Sequence, residues 1–325
     1  MADEILDVDL LAFERGDADA RAAVVDGVMR SLRTGFVFTE HDLSADMLDS
    51  AYGMLEQFFG LPQDVKETYL APGTHGQRGY TGLLVETAAI ADVPDWKEML
   101  NWGHEIPEGH PLRRRFPHRF ADNVFPEAHV PGISAVLREF YERVFELQTR
   151  FLRIIAVGLG CHEHFFDNML TNGATLTRAI HYPAMDLAPG AEHVWAGEHG
   201  DINLITALPR ASARGLQVKL DDGTWIDAAP PDDRVIMNTG IMLDHLTNGV
   251  ISPGVHRVVA DPGQPGDRYS VVQFCHPSPW AILSPIPTTV TPEHPLRYAP
   301  IAAADHLDQV LYEINLVEDG RRVDS

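Results

Sequence analysis

Apolar residues recur at helical spacing before Gly160 and at strand spacing from Thr175 onward. Ile5-Leu6-Asp7-Val8-Asp9-Leu10 predicts a short opening strand. Asp17 or Asp19 can cap a helix whose apolar face carries Val24, Val25, Val28 and Leu32, with Gly35 ending it. Gly35-Phe36-Val37-Phe38 reads as a buried strand. Ser44 can cap a second helix bearing Leu48, Ala51, Tyr52, Leu55, Phe58 and Phe59, stopped by Gly60 and Pro62. The longest periodic stretch is 133–158. There Ile133, Val136, Leu137, Phe140, Val144, Leu147, Phe151, Ile154 and Ile155 follow the helical interval. It predicts a helix that supports a sheet.

Residues 71–131 are rich in Pro and Gly and read as loops. From Thr175 onward, short strands separated by Gly, Pro and Asp turns predict an antiparallel sandwich or barrel. In Leu176–Pro183, alternation puts Arg178, Ile180 and Tyr182 on one face and His181 on the other. No repeat, low-complexity tract or linker interrupts the chain. The expectation is one integrated domain, with an N-terminal region over 1–130 and a helix-supported core with a C-terminal segment over 131–325.

Composition changes this picture little. With 325 residues the chain can bury a large core, and 45% hydrophobic and 22% charged residues are ordinary for a globular protein. The net charge of −22 argues against nucleic acid or an anionic membrane as partner. Met1-Ala-Asp-Glu lacks the basic start and apolar core of a signal peptide, and two cysteines are too few for a disulfide framework, so a cytoplasmic location is expected. Arg113, Arg114, Arg115 and Arg119 read as a solvated face, or as an attractor for an anionic substrate.

The chemistry concentrates between His199 and Ser270. In an extended strand His199 and Asp201 share a face, and a distant His256 would complete two imidazoles and one carboxylate on one side of a metal. Among 16 histidines a lone His-x-Asp arises easily by chance, so the pair alone decides nothing. Arg268 and Ser270 lie two apart in a run of strand formers, where a guanidinium and a hydroxyl can clamp a carboxylate. The bland alternative is a surface arginine after a turn at Pro262–Gly266.

The ordered run Gly215-Leu216-Gln217-Val218, Trp225-Ile226, Asn238-Thr239-Gly240, Leu246-Thr247-Asn248-Gly249 and Ser252-x-x-x-His256-Arg257-Val258 resembles the isopenicillin N synthase-like branch of the iron- and 2-oxoglutarate-dependent oxygenases. Thr34-Gly35-Phe36, Phe58-Phe59-x-Leu61-Pro62, Arg78-Gly79-Tyr80 and Asp95-Trp96-Lys97-Glu98 resemble its N-terminal region. The resemblance implies a mainly β fold with flanking helices, a double-stranded β-helix (jelly-roll) core behind an N-terminal helical region. It implies Fe(II) on His199, Asp201 and His256, 2-oxoglutarate on Arg268, Ser270 and Tyr182, and O2 as oxidant. A small-molecule substrate would be hydroxylated or desaturated as succinate and CO2 are released. That substrate would sit between the metal and the segment Arg78–Trp96, with Arg78, Tyr80, Arg178 and Phe274 as contacts. Arg178 suggests an anionic group on it, or a structural salt bridge. Where halogenating relatives of the broader superfamily have a small residue, Asp201 supplies a carboxylate. Two positions depart from the family: Ile241 stands where an acidic residue is frequent, and Ile180 where some members have Asn. The rival readings are an oxidase of the same fold that uses no 2-oxoglutarate, and a metal- or sugar-binding barrel without catalysis.

Overall fold

Asp9 ends the opening strand instead of belonging to its middle. Strand β1 (Asp7–Asp9) stops because the Asp9 carboxylate accepts from the Ala12 amide at 3.0 Å and starts a short helix, α1 (Leu10–Arg15). The Asp17 carboxylate caps α2 (Ala18–Ser31) in the same way. Then come β2 (Phe36–Glu40), α3 (Ala45–Phe59) with Ser44 as its cap, and α4 (Gln63–Glu67). This computed structural model describes residues 4–86, 93–190, 193–231, 233–260 and 266–313. Most of the turn expected at Pro262–Gly266, part of the Arg78–Trp96 loop and the end of the C-terminal segment lie outside the described residues.

The stretch read as loops holds two strands, β3 (Gly79–Thr81) and β4 (Glu98–Gly103), followed by α5 (Pro111–Arg115). Every residue of β4 is buried, so it shows no alternation for a pattern reading to find. Helices α6 (Ile133–Gly158) and α7 (Asp167–Leu170) lead into β5 (Leu176–Tyr182), β6 (Ala196–His199), β7 (Ile205–Ala211), β8 (Leu216–Lys219), β9 (Trp225–Asp227) and β10 (Val235–Thr239). The described chain closes with α8 (Ile241–Leu246), β11 (His256–Val258), β12 (Arg268–Cys275) and α9 (Ala303–Glu313).

Eight strands form one sheet in the order β1-β2-β10-β7-β12-β5-β4-β3, and four form a second in the order β6-β11-β8-β9. These are the two sheets of a jelly roll. Strands from the second half of the chain form the middle of the larger sheet, and strands from the first half flank them on both edges. Its outer face packs on α2, α3 and α6 through Val28, Leu55, Phe58, Phe140, Leu147 and Phe151, in one cluster that includes residues on both sides of position 130. The Trp102 indole N–H reaches the Leu137 carbonyl at 3.0 Å, and Gln148 donates to the carbonyls of Ile205 and Gln273, which fixes α6 against the sheet. Between the two sheets lies a second cluster, with Phe36, Trp96, Ile180, Tyr182, Trp195, Val218 and Val258.

Two of the four arginines of the run pair with acidic neighbours. Arg113 pairs with Asp122, and Arg119 pairs with Asp308 on α9 at 2.6 Å.

Candidate active site

His199 ends β6 and His256 begins β11, and antiparallel pairing sets them directly opposite each other. Their rings lie 4.3 Å apart, centroid to centroid. Asp201 follows β6 by two residues. One ligand atom from each of the three residues lies within 4.8 Å of the others, the one such cluster among the described residues.

The surroundings decide which atoms remain free. The Nδ1–H of His199 donates to the Gly197 carbonyl at 2.8 Å, and that of His256 donates to the Gly254 carbonyl at 3.0 Å. A carbonyl can only accept, so both protons sit on Nδ1 and both Nε2 lone pairs are left for a metal. Asp201 Oδ2 accepts from Thr206 Oγ1 and from Asn238 Nδ2 at 2.8 Å, which leaves Oδ1 free. Thr206 belongs to β7 and Asn238 to β10, so the larger sheet grips a ligand carried by the smaller one. The Ile241 amide donates to the Asp201 carbonyl at 2.8 Å and holds its backbone as well.

Electrostatics agree with this arrangement. Burial, and then the neighbouring His256, push the pKa of His199 down to about 4, so its imidazole is neutral at pH 7. Burial opposes ionisation of Asp201. Even so, His256, His199 and the two hydrogen bonds hold its carboxyl below the usual range. Two imidazoles and one carboxylate, brought to a common point, are the donor set of a facial iron site.

The His256 segment reaches this position through a close backbone approach. Gly35 has φ +74°, and a Cβ there would lie 2.3 Å from the Gly254 Cα. Phe36, the next residue, presents its ring to the edge of His256 at 5.6 Å.

Arg268 and Ser270 open β12 opposite Tyr182 and Ile180 of β5. Arg268 is 1% exposed. Its Nε donates to the Ala213 carbonyl at 3.2 Å, one terminal nitrogen donates to Ser270 Oγ at 3.2 Å, and the guanidinium lies 4.9 Å from the centre of the Tyr182 ring. Among the described residues no carboxylate pairs with it. A buried cation without a counter-ion is costly, and a bound carboxylate would relieve that cost. The residues therefore fit 2-oxoglutarate.

Of the four expected substrate contacts, Arg178 and Phe274 come together and Arg78 and Tyr80 do not join them. The Arg178 guanidinium lies over the Phe274 ring at 5.7 Å, bonds Asn101 at 2.8 Å and pairs with Glu86 at 3.3 Å. The salt-bridge alternative for Arg178 is therefore realised. Arg78 is buried and donates to the carbonyls of Gln77, Arg119 and Ala121. Tyr80 donates to Glu98 and Gln63. Both are spent on the scaffold.

Sequence reading missed Thr206 and Glu86, and it quoted Asn238 and Lys97 only as parts of motifs. Burial would favour the neutral amine of Lys97, but Glu86 and Asp95 keep it charged and raise its pKa. Burial likewise opposes ionisation of Glu86, and Arg178 and Lys97 lower its pKa below the usual value. Two further histidines, His245 and His276, supply no ligand atom to the triad: His245 bonds the Ala299 carbonyl, and His276 lies beside Arg119.

Residues 5–128 match the family described as non-haem dioxygenase in morphine synthesis N-terminal, and residues 174–277 match the 2OG-Fe(II) oxygenase superfamily. A 2-oxoglutarate-dependent dioxygenase of Monascus ruber is 30% identical over 79% of this chain and 80% of its own length. A solved 2OG-Fe(II) oxygenase family protein from Caulobacter crescentus is 33% identical, with a TM-score of 0.85, over 96% of this chain and all of that one. A full-length protein of Neurospora crassa, solved in complex with alpha-KG and thymine, is 29% identical with a TM-score of 0.82, over 95% and 96% of the two chains.

Proposed function

This chain belongs to the 2OG-Fe(II) oxygenase superfamily, and on that footing we propose which of its residues carry the reaction and what kind of substrate they accept. It is a non-haem Fe(II) and 2-oxoglutarate-dependent dioxygenase. His199, Asp201 and His256 would hold the iron, and the observation that carries this assignment is the convergence of their three free lone pairs. Arg268 and Ser270 would bind the far carboxylate of 2-oxoglutarate, with Tyr182 beneath the guanidinium. When bound, iron and 2-oxoglutarate supply the activation of dioxygen, and succinate and CO2 leave.

The protein's own work is placement. Carbonyls fix the two imidazole tautomers, Thr206 and Asn238 aim the Asp201 carboxylate, and the cluster between the sheets keeps the site dry. The substrate would rest against Phe274 and Arg178. Arg178 and Lys97 are balanced there by Glu86 and Asp95, so this wall is neutral overall. Such a wall suits a small, neutral, hydrogen-bonding molecule better than a bare carboxylate. The Neurospora crassa relative, solved with thymine, offers a starting compound of that kind.

Succinate release across a panel of neutral heterocycles, thymine included, and of carboxylic acids tests this reading. Turnover with a neutral heterocycle supports it, and turnover confined to acids refutes the neutral wall. Absence of any succinate would return the oxidase reading. Cys161 and Cys275 are free thiols, in keeping with a reducing cytoplasm. No helix among the described residues is long and apolar enough to cross a membrane.

A further inference from the structure

One face of β5 carries Tyr182 toward Arg268, and the opposite face carries His181 into an ionic cluster, buried at Lys66 and Glu98 and exposed at Asp267, that the reaction does not use. His181 Nδ1 lies 2.7 Å from Glu98 Oε1, and its Nε2 lies 2.8 Å from Asp267 Oδ2. Each carboxylate can accept, so each ring nitrogen has an acceptor within hydrogen-bonding distance. Glu98 is also held by Lys66 at 2.7 Å and by the Tyr80 hydroxyl. Lys66 and His181 thus face the two carboxylates of Glu98 and Asp267. The ring is sandwiched as well, stacked on Tyr269 at 4.7 Å and 7° and tilted against Phe59 at 5.4 Å.

Asp267 directly precedes Arg268. Its second oxygen accepts from the Ala184 amide at 3.0 Å, so one carboxylate ties the exit of β5 to the entry of β12. The register repeats the tie: His181 faces Tyr269, and Tyr182 faces Arg268. Successive side chains point to opposite faces, so the orientation of Asp267 and Tyr269 sets the direction in which Arg268 leaves the strand. We propose that His181 is a positioning residue for 2-oxoglutarate, acting through Asp267 to aim the Arg268 guanidinium. This rests on the reading that Arg268 holds the co-substrate. The cluster touches none of the three iron ligands, so its effect should fall on 2-oxoglutarate and spare the metal.

The test is anaerobic calorimetric titration of 2-oxoglutarate into the full-length Fe(II)-loaded protein. H181Q should raise its Kd about tenfold, the lower end of what outer-sphere partners of a ligand contribute. Fe(II) affinity should stay at the wild-type value, and in turnover KM for 2-oxoglutarate should rise more than kcat falls. D267N, at an exposed position, should reproduce the loss even if H181Q does not fold. Because both act on one element, the double variant should bind no worse than the weaker single one. Wild-type affinity in D267N and in any folded H181Q overturns the proposal, as does a double variant in which the two losses multiply. R268K in the same titration separates the premise: unchanged binding there removes the reading of Arg268. Weakened binding in R268K with none in the other two removes only the role of His181.

Discussion

Replacing Arg268 by Met should cost the protein its co-substrate while leaving the ligand-free fold intact or slightly firmer. The guanidinium is buried, lacks a carboxylate partner among the described residues, and is held by hydrogen bonds to the Ala213 carbonyl and the Ser270 hydroxyl and by the Tyr182 side chain. Exchanging buried ionic groups for apolar ones of similar volume often gains about 1–4 kcal/mol. Against this stand the two lost hydrogen bonds, about 1 kcal/mol each. The net for the ligand-free protein is then between roughly −1 and +2 kcal/mol. With ligand the comparison reverses. At a concentration of about 100 Kd, 2-oxoglutarate should add about 2.7 kcal/mol to the wild type and nothing to the variant. At about 2 °C per kcal/mol this is a Tm rise of about 5 °C in the wild type alone. Thermal unfolding of the Fe(II)-loaded protein, anaerobic, with and without 2-oxoglutarate, measures both effects. Equal Tm rises in the two proteins would refute the assignment of Arg268, and a loss of several kcal/mol without ligand would refute the view that its charge is unpaired.

N238A, which releases one hold on Asp201 Oδ2, should weaken Fe(II) binding about 10- to 100-fold with the fold preserved, as read by anaerobic metal titration; wild-type affinity would mean that Asn238 does not orient the ligand. E98Q should be less stable than the wild type at pH 7. Burial opposes ionisation of Glu98, but His181, Lys66 and Tyr80 depress its folded-state pKa below the ordinary value, so its contribution is full above about pH 4.5 and fades as pH falls through the depressed value. Urea unfolding of both proteins at pH 7 and at about pH 3 should show the gap closing in acid, and a gap independent of pH would refute the sign. With Asp201 on the metal, product mass in chloride buffer should show one added oxygen or two lost hydrogens. A chlorinated main product would overturn its role.

The residues proposed to hold iron and 2-oxoglutarate were legible because motif order and close spacing reach them directly: His199 and Asp201 are two apart, and Arg268 and Ser270 repeat that spacing. What holds those residues was not legible. Thr206 and Asn238 meet Asp201 only after β7 and β10 pair, and His181 meets Asp267 only across 86 positions. Strand β4 escaped notice because it is buried on both faces and opens on the charged Glu98, directly after Lys97. Lys97 and Glu98 look like surface positions until Lys66, His181, Asp95 and Glu86 are set around them. Helix α1 was merged with its strand because Leu10 continues the apolar run, and the capping geometry of Asp9 decides otherwise. Arg78 looked like a residue of the active-site mouth, yet its pKa falls to about 10 through burial among backbone carbonyls.

The central claim is that His199, Asp201 and His256 together hold one Fe(II). Anaerobic Fe(II) titration of the wild type and of H199A, D201A and H256A, with circular dichroism to verify folding, tests it most directly. The account predicts one tight iron per wild-type chain and its loss in each variant, because an open facial site cannot retain the metal with a ligand missing. Wild-type iron affinity in any one folded variant would contradict it.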